Sequence, residues 1–155
     1  MICFQKEISL KQFFILSLLF PLVLTVSAQI HINEVSSKNA TLFFDEDGDT
    51  PDWIELYNTS AAPFNIGGYY LSDDSTDVYK WQFPNLTIPG NGFLMVLASG
   101  KNKVETYLHT NFKLDRDGET LILTSTNGTT VHQVVVGYLQ GCLLYTSDAA
   151  DDQAS

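Results

Sequence analysis

Cysteine is nearly missing from this 155-residue chain, and its two copies, Cys3 and Cys142, stand close to the two ends. The long stretch between them has no disulfide and no thiolate for a structural zinc site, so its stability must come from a packed core or a hard cation. Positive charge is also scarce: eight Lys and Arg face eighteen Asp and Glu, a net charge of −10. Phosphate backbones are gripped by clustered Lys and Arg, so nucleic acid is not an expected partner. The acidity suits an extracellular surface or divalent cations. No apolar run reaches the roughly 20 residues that a membrane-spanning helix needs. Helical periodicity is missing after Ala28, and there is no Gly-x-Ser-x-Gly elbow, no glycine-rich phosphate loop and no histidine pair at ligand spacing. His31, His109 and His132 are scattered and read as ordinary strand residues.

Both ends read differently from the middle. Lys6 and Lys11 precede the apolar run Phe13 to Val26, which closes on the small-residue site Val26-Ser27-Ala28. That order is a secretory signal peptide, residues 1–28, with cleavage expected before Gln29 and no transmembrane segment left afterwards. The expected destination is the cell exterior or cell surface, and a bacterial source is favoured. Asn39, Asn58, Asn85 and Asn127 open Asn-x-Ser/Thr sequons, which would matter only in a eukaryotic secretory pathway. At the other end, Cys142 to Asp152 resembles one reading frame of a sequencing-library adapter. Residues 142–155 are therefore expected to be a non-native tail lying loose against the domain, with the gene continuing beyond Gly141. The remaining 29–141 span 113 residues, enough for one core and too few for two.

Short β-like runs fill that middle, separated by turn residues, which predicts an all-β sandwich. Strands are expected over 30–35, 53–59, 64–72, 79–88, 93–99, 109–114, 119–125 and 130–136. Asn127-Gly128 predicts a type I′ hairpin joining the last two. Alternation puts Ile54 and Leu56 on one face and Trp53, Glu55 and Tyr57 on the other. Trp53, Tyr57, Trp81, Phe83 and Phe93 are read as core aromatics, against an exposed platform for sugar or peptide.

Two groups of carboxylates are candidates for site chemistry. Asp45, Asp47, Asp49 and Asp52 alternate around Gly48, a spacing that suits the several oxygen ligands of a calcium ion. The loop departs from the EF-hand pattern, whose sixth and twelfth positions fall here on Thr50 and Leu56. A solvated acidic loop is the competing reading. Glu34 and Glu55 form a weaker acid/base candidate, with Glu34 on the parity of Ile30 and Ile32 and no nucleophile or oxyanion loop beside them. Asp73 and Asp74 read as turn residues, and Gly67-Gly68 as a bend.

Ile32-Asn33-Glu34-Val35, the segment Asp45 to Asn58, Phe64 to Asp74, Lys80-Trp81-Gln82-Phe83-Pro84, Ile88 to Phe93, His109 to Leu114 and Gly118 to Leu123 together resemble the lamin-tail domain in its bacterial secreted form. That resemblance implies an immunoglobulin-like β-sandwich over residues 29–141. It also implies a non-catalytic binding or structural module that attaches to a protein or glycan surface. The acidic loop resembles lamin-tail domains found ahead of spore-coat-type (CotH-like) kinase domains. The alternative is therefore an accessory domain of a secreted kinase or hydrolase, with this chain as the amino-terminal fragment. No catalytic residues and no certain cofactor are implied.

Overall fold

A computed structural model describes residues 29–37, 43–137 and 144–146, and the expected signal peptide lies outside them. Along the chain run β1 (Ile30–Ser36), β2 (Asp52–Asn58), β3 (Phe64–Asn65), β4 (Tyr70–Ser72), β5 (Trp81–Gln82), β6 (Thr87–Ile88), β7 (Phe93–Ala98), β8 (Leu108–His109), β9 (Glu119–Thr124), β10 (Thr130–Val136) and β11 (Leu144–Thr146). Helix is absent among the described residues. A five-stranded sheet in the order β11-β1-β2-β7-β8 packs on a four-stranded sheet in the order β10-β9-β4-β5, and β3 and β6 form a separate pair. The all-β sandwich expected from the alternation is the observed architecture.

The core is built from the inward parity of each strand. Ile54 and Leu56 of β2 are fully buried, as are Ile32 of β1, Val96 of β7, Leu71 of β4 and Leu121 and Leu123 of β9. Trp81 and Phe83 close it, their rings edge to face at 4.8 Å between centroids. Truncating a central member such as Leu56 to alanine is expected to cost about 2–5 kcal/mol, the sum of lost transfer energy and a cavity. Asn58, also fully buried, pins the end of β2 to two loops: its amide donates to the carbonyls of Ala62 and Pro89.

Several local expectations need correction. The run 64–72 is two strands, because the chain turns between Ile66 and Tyr69 with Gly68 at φ +82°. The run 79–88 is likewise split, with Pro84 just past the break. The two broken arms lie together, β3 against β6 and β4 against β5. The run 109–114 shortens to β8, which joins β7 in parallel. The last hairpin does connect β9 to β10, but not by a type I′ turn. Only Gly128 of the pair has positive φ, and Gly128 N–H donates to Ser125 O while Ser125 N–H donates to Thr129 O. That is a three-residue loop with glycine in the left-handed position.

Glu34 also departs from its expected face. Ile32 pairs with Leu56 but Glu34 pairs with Glu55, so Asn33 is an inserted bulge residue. The bulge flips parity, and Glu34 leaves the side of Ile30 and Ile32 for the outer face. Leu144–Thr146 does not lie loose either: its backbone pairs antiparallel with Ser36, Val35 and Glu34.

Candidate functional site

The outer face of the five-stranded sheet carries the candidate chemistry, and its two ends differ. At one end the register sets Trp53 beside Leu97 and Ser36, and Leu97 beside His109. Ser36, Leu97 and His109 are buried there although they point away from the core. Lying against His109 is the acidic loop ahead of β2. Its own backbone shapes it: Asp45 N–H donates to Asp49 O, Gly48 N–H to Asp45 O, and Gly48 takes φ +81°. Asp45 Oδ1 accepts the N–H groups of Asp47 and Asp49 at 3.0 and 2.9 Å, so a carboxylate organises the turn from within.

Three of the four candidate calcium ligands converge, and a cation already stands among them. Lys101 Nζ lies 2.5 Å from Asp45 Oδ2 and 2.7 Å from both Asp47 Oδ2 and Asp49 Oδ2. Asp52 stands outside this group, at the start of β2 opposite Ala98. The strand fixes its position, so the loop cannot carry it to the cluster. Lys103 adds a second layer, 2.8 Å from Asp47 and 3.1 Å from Glu46. Both lysines come from the segment between β7 and β8, which Asn102 N–H to Thr110 O and His109 N–H to Lys103 O hold in place.

Electrostatics follow the contacts. Burial pulls the Asp45 carboxyl upward, but the Lys101 hydrogen bond and the two backbone N–H groups outweigh it and leave the group below its ordinary range. Asp47, bonded by Lys101 and then Lys103, falls to about 2. Glu46 is lowered too, its desolvation outweighed by hydrogen bonds from its own backbone, Lys103 and His109. Lys101 and Lys103 move up, chiefly through the Asp45 and Asp47 bonds respectively.

His109 is a site residue that the sequence did not mark. Fully buried, it places Nε2 3.1 Å from both oxygens of Glu46 and Nδ1 2.9 Å from Ser99 Oγ. With the ring proton on Nε2, Glu46 accepts it and the Ser99 hydroxyl donates to Nδ1. Ser99 Oγ in turn accepts Lys101 N–H at 3.1 Å, which ties the relay to the lysine segment. Serine, histidine and glutamate are the residue types of a hydrolase triad. Here the Ser99 oxygen is already engaged and the residue is 7% exposed, so the relay holds a loop instead of presenting a nucleophile. A cleft of about 650 Å³ opens beside it, lined by Asp49, Asp52, Ser99, Lys101, Lys113 and Arg116 among others.

The other end of the same face is open. Tyr57 and Phe93 stack at 4.7 Å, and Phe93 is 56% exposed. Of the five aromatics expected in the core, Trp81 and Phe83 are there, Trp53 and Tyr57 are half-buried on the outer face, and Phe93 faces solvent. Between the two ends Glu34 sits opposite Glu55. Burial first and the Glu55 charge second raise the Glu34 pKa, and Asn33 Nδ2 donates to Glu55 at 2.9 Å. The pair is adjacent as the acid/base reading required, but no reactive group completes it among the described residues. Asp74 is the turn residue expected, accepting from Thr76 N–H and Oγ1, while Asp73 pairs with Lys80 at 2.6 Å.

Comparison with known proteins agrees with this arrangement. The model of the Lamin Tail Domain family matches residues 25–138, which contain every strand from β1 to β10. No curated protein matches the chain. The lamin tail domain is a non-catalytic, immunoglobulin-like module, and the outer-face carboxylates are consistent with that, since the chain's own lysines and histidine engage most of them. The chain belongs to the lamin tail domain family.

Proposed function

We propose that this domain is a binding or structural module of a secreted or cell-surface protein, and that it does no chemistry itself. The observation that supports this most is how the polar groups of the acidic loop are used. Asp45, Glu46, Asp47 and Asp49 close on Lys101, Lys103 and His109, so the group that most resembles a site is occupied in holding a loop to the sheet. The loop-covered end gives the module a stiff surface. The stacked Tyr57 and Phe93 at the uncovered end supply an aromatic contact of the kind that protein and glycan surfaces meet.

Export rests on the Lys6 to Ala28 pattern, and among the described residues no helix is long and apolar enough to cross a membrane. The test is retention of the purified chain on isolated cell envelope and matrix fractions, with Phe93→Ala as the paired variant. Retention that drops in the variant is expected. Equal retention of both, or none of either, overturns the role of the aromatic end. The source gene read across Gly141 then decides whether a kinase or hydrolase domain follows and makes this module its accessory.

A further inference from the structure

A sheet edge offers unpaired N–H and C=O groups to any extended chain, and proteins blunt such edges with shortness, lysine, proline or bulges. Two of the edge strands here, β5 and β8, are two residues long. A third, β10, is seven residues long but leans on β1 through His132, whose Nδ1 accepts Ile32 N–H at 3.1 Å. β1 is also seven residues long and contains neither lysine nor proline, and its one such device, the Asn33 bulge, lies ahead of Glu34–Ser36. Its first half is closed by His132, and its second half, Glu34 to Ser36, pairs with Leu144–Thr146.

We propose that the β1 edge from Glu34 to Ser36 is a strand-acceptor site, and that its occupant is the Leu144–Thr146 stretch of this same chain. Reach is one support: β10 ends at Val136 and the paired stretch begins at Leu144, so seven residues cross the gap. Chemistry is another. Strand addition is carried by main-chain hydrogen bonds, so the acceptor property belongs to β1 and does not depend on the particular residues that follow Gly137. His132 sets the length. An antiparallel partner running past Thr146 meets Ile32, whose N–H is already given to the imidazole, so the ladder stops after three residues in a fixed register. The consequence is directional: the occupant runs along β1 from Ser36 to Glu34, toward the Ile30 end. This goes beyond the module reading and does not depend on what the module binds.

The test is amide hydrogen exchange on the full chain, read at Glu34 to Ser36, with the β2–β7 amides as an internal control of folding. Two variants accompany it. Tyr145→Pro removes a ladder donor and fixes φ, which edge pairing does not tolerate in the middle of a strand. The triple replacement Leu144→Thr, Tyr145→Val, Thr146→Ile keeps an extended preference with different side chains. Expected is slowing of about tenfold or more at the edge-facing amides in the unmodified chain and in the triple variant, lost in Tyr145→Pro. Equal exchange with and without the proline overturns the site. Loss of protection in the triple variant overturns its backbone character. Protection that grows with protein concentration, with a dimer by light scattering, overturns the occupant, because a second copy would then be filling the edge.

Discussion

Leu97 and His109 at one end of the outer face, and Tyr57 and Phe93 at the other, stand on neighbouring strands of one sheet, yet the first two are fully buried, with the acidic loop bonded to His109, and Phe93 meets water. Phe93 and Leu97 share a strand and a parity, and they are 56% and 0% exposed. The difference is therefore not in the strand but in what crosses it. The acidic loop stays down because Lys101 and Lys103 pair with its carboxylates and His109 anchors Glu46. Strand patterning decides which residues can be buried on an outer face, and long-range ion pairs decide which of them are.

Breaking the covered end has the largest expected effect. His109→Ala removes a fully buried ring and leaves Ser99 and Glu46 without their shared partner, with an expected loss of about 2–4 kcal/mol in urea unfolding. A loss within error of zero would mean that the loop holds without the relay.

Acid distinguishes the ends next. Asp47, lowered to about 2 from an ordinary 3.8, and the lowered Asp45 and Glu46 bind protons more weakly folded than unfolded. Their contribution is present above the unfolded values and is lost as pH falls through the folded ones, so the covered end should hold until well below pH 4. His132, stacked on His31 at 5.1 Å, is lowered from 6.5 by burial and then by His31. Its contribution is present above pH 6.5 and is lost as pH falls through its folded value, which opens the Ile32 N–H bond. Exchange at Ile32 should quicken at a higher pH than exchange in the Asp45 loop; simultaneous loss would erase the distinction.

Glu119 of β9 gives a control of opposite sign on the other sheet. Desolvation, then Asp73 and Asp115, push its carboxyl up to about 7 from 4.5, against an Asp115 N–H bond that lowers it. Stability from this group is present below pH 4.5 and is lost as pH rises toward 7. Glu119→Gln should flatten that part of the melting profile and leave the acid limb unchanged.

The smallest effect belongs to the open end. Phe93→Ala exchanges an exposed stack for solvent and is expected to cost about 0.5–1 kcal/mol. A cost as large as that of His109→Ala would mean that the two ends are not different in kind.

The sequence made the sandwich legible because alternation and turn residues are local signals: Ile54 and Leu56 against Trp53 and Tyr57 could be sorted by parity alone. Three things were not legible, each for a physical reason. The Asn33 bulge changes parity by one without any marker in composition, so simple alternation puts Glu34 on the side of Ile30 and Ile32. Coverage of an outer face is set by another segment, so Phe93 and Trp81 looked alike although one is exposed and the other buried. Asp45, Asp47 and Asp49 could be seen to converge, but Lys101 is 56 residues from Asp45, and an ion pair over that separation leaves no local pattern. Without the ammonium that stands among three of the four aspartates, the sequence leaves a solvated acidic loop and a calcium site both open.

The central claim is that the chain's own lysine closes the acidic loop, and a melting curve in chelator and in millimolar calcium, for the unmodified chain and for Lys101→Met, tests it most directly. The account predicts one melting temperature for the unmodified chain in both conditions, and a lower one for Lys101→Met that calcium partly restores, because Asp45 and Asp49 would then lose their cation and Asp47 would keep only Lys103. A clear rise with calcium in the unmodified chain, or no change on removing Lys101, would contradict it.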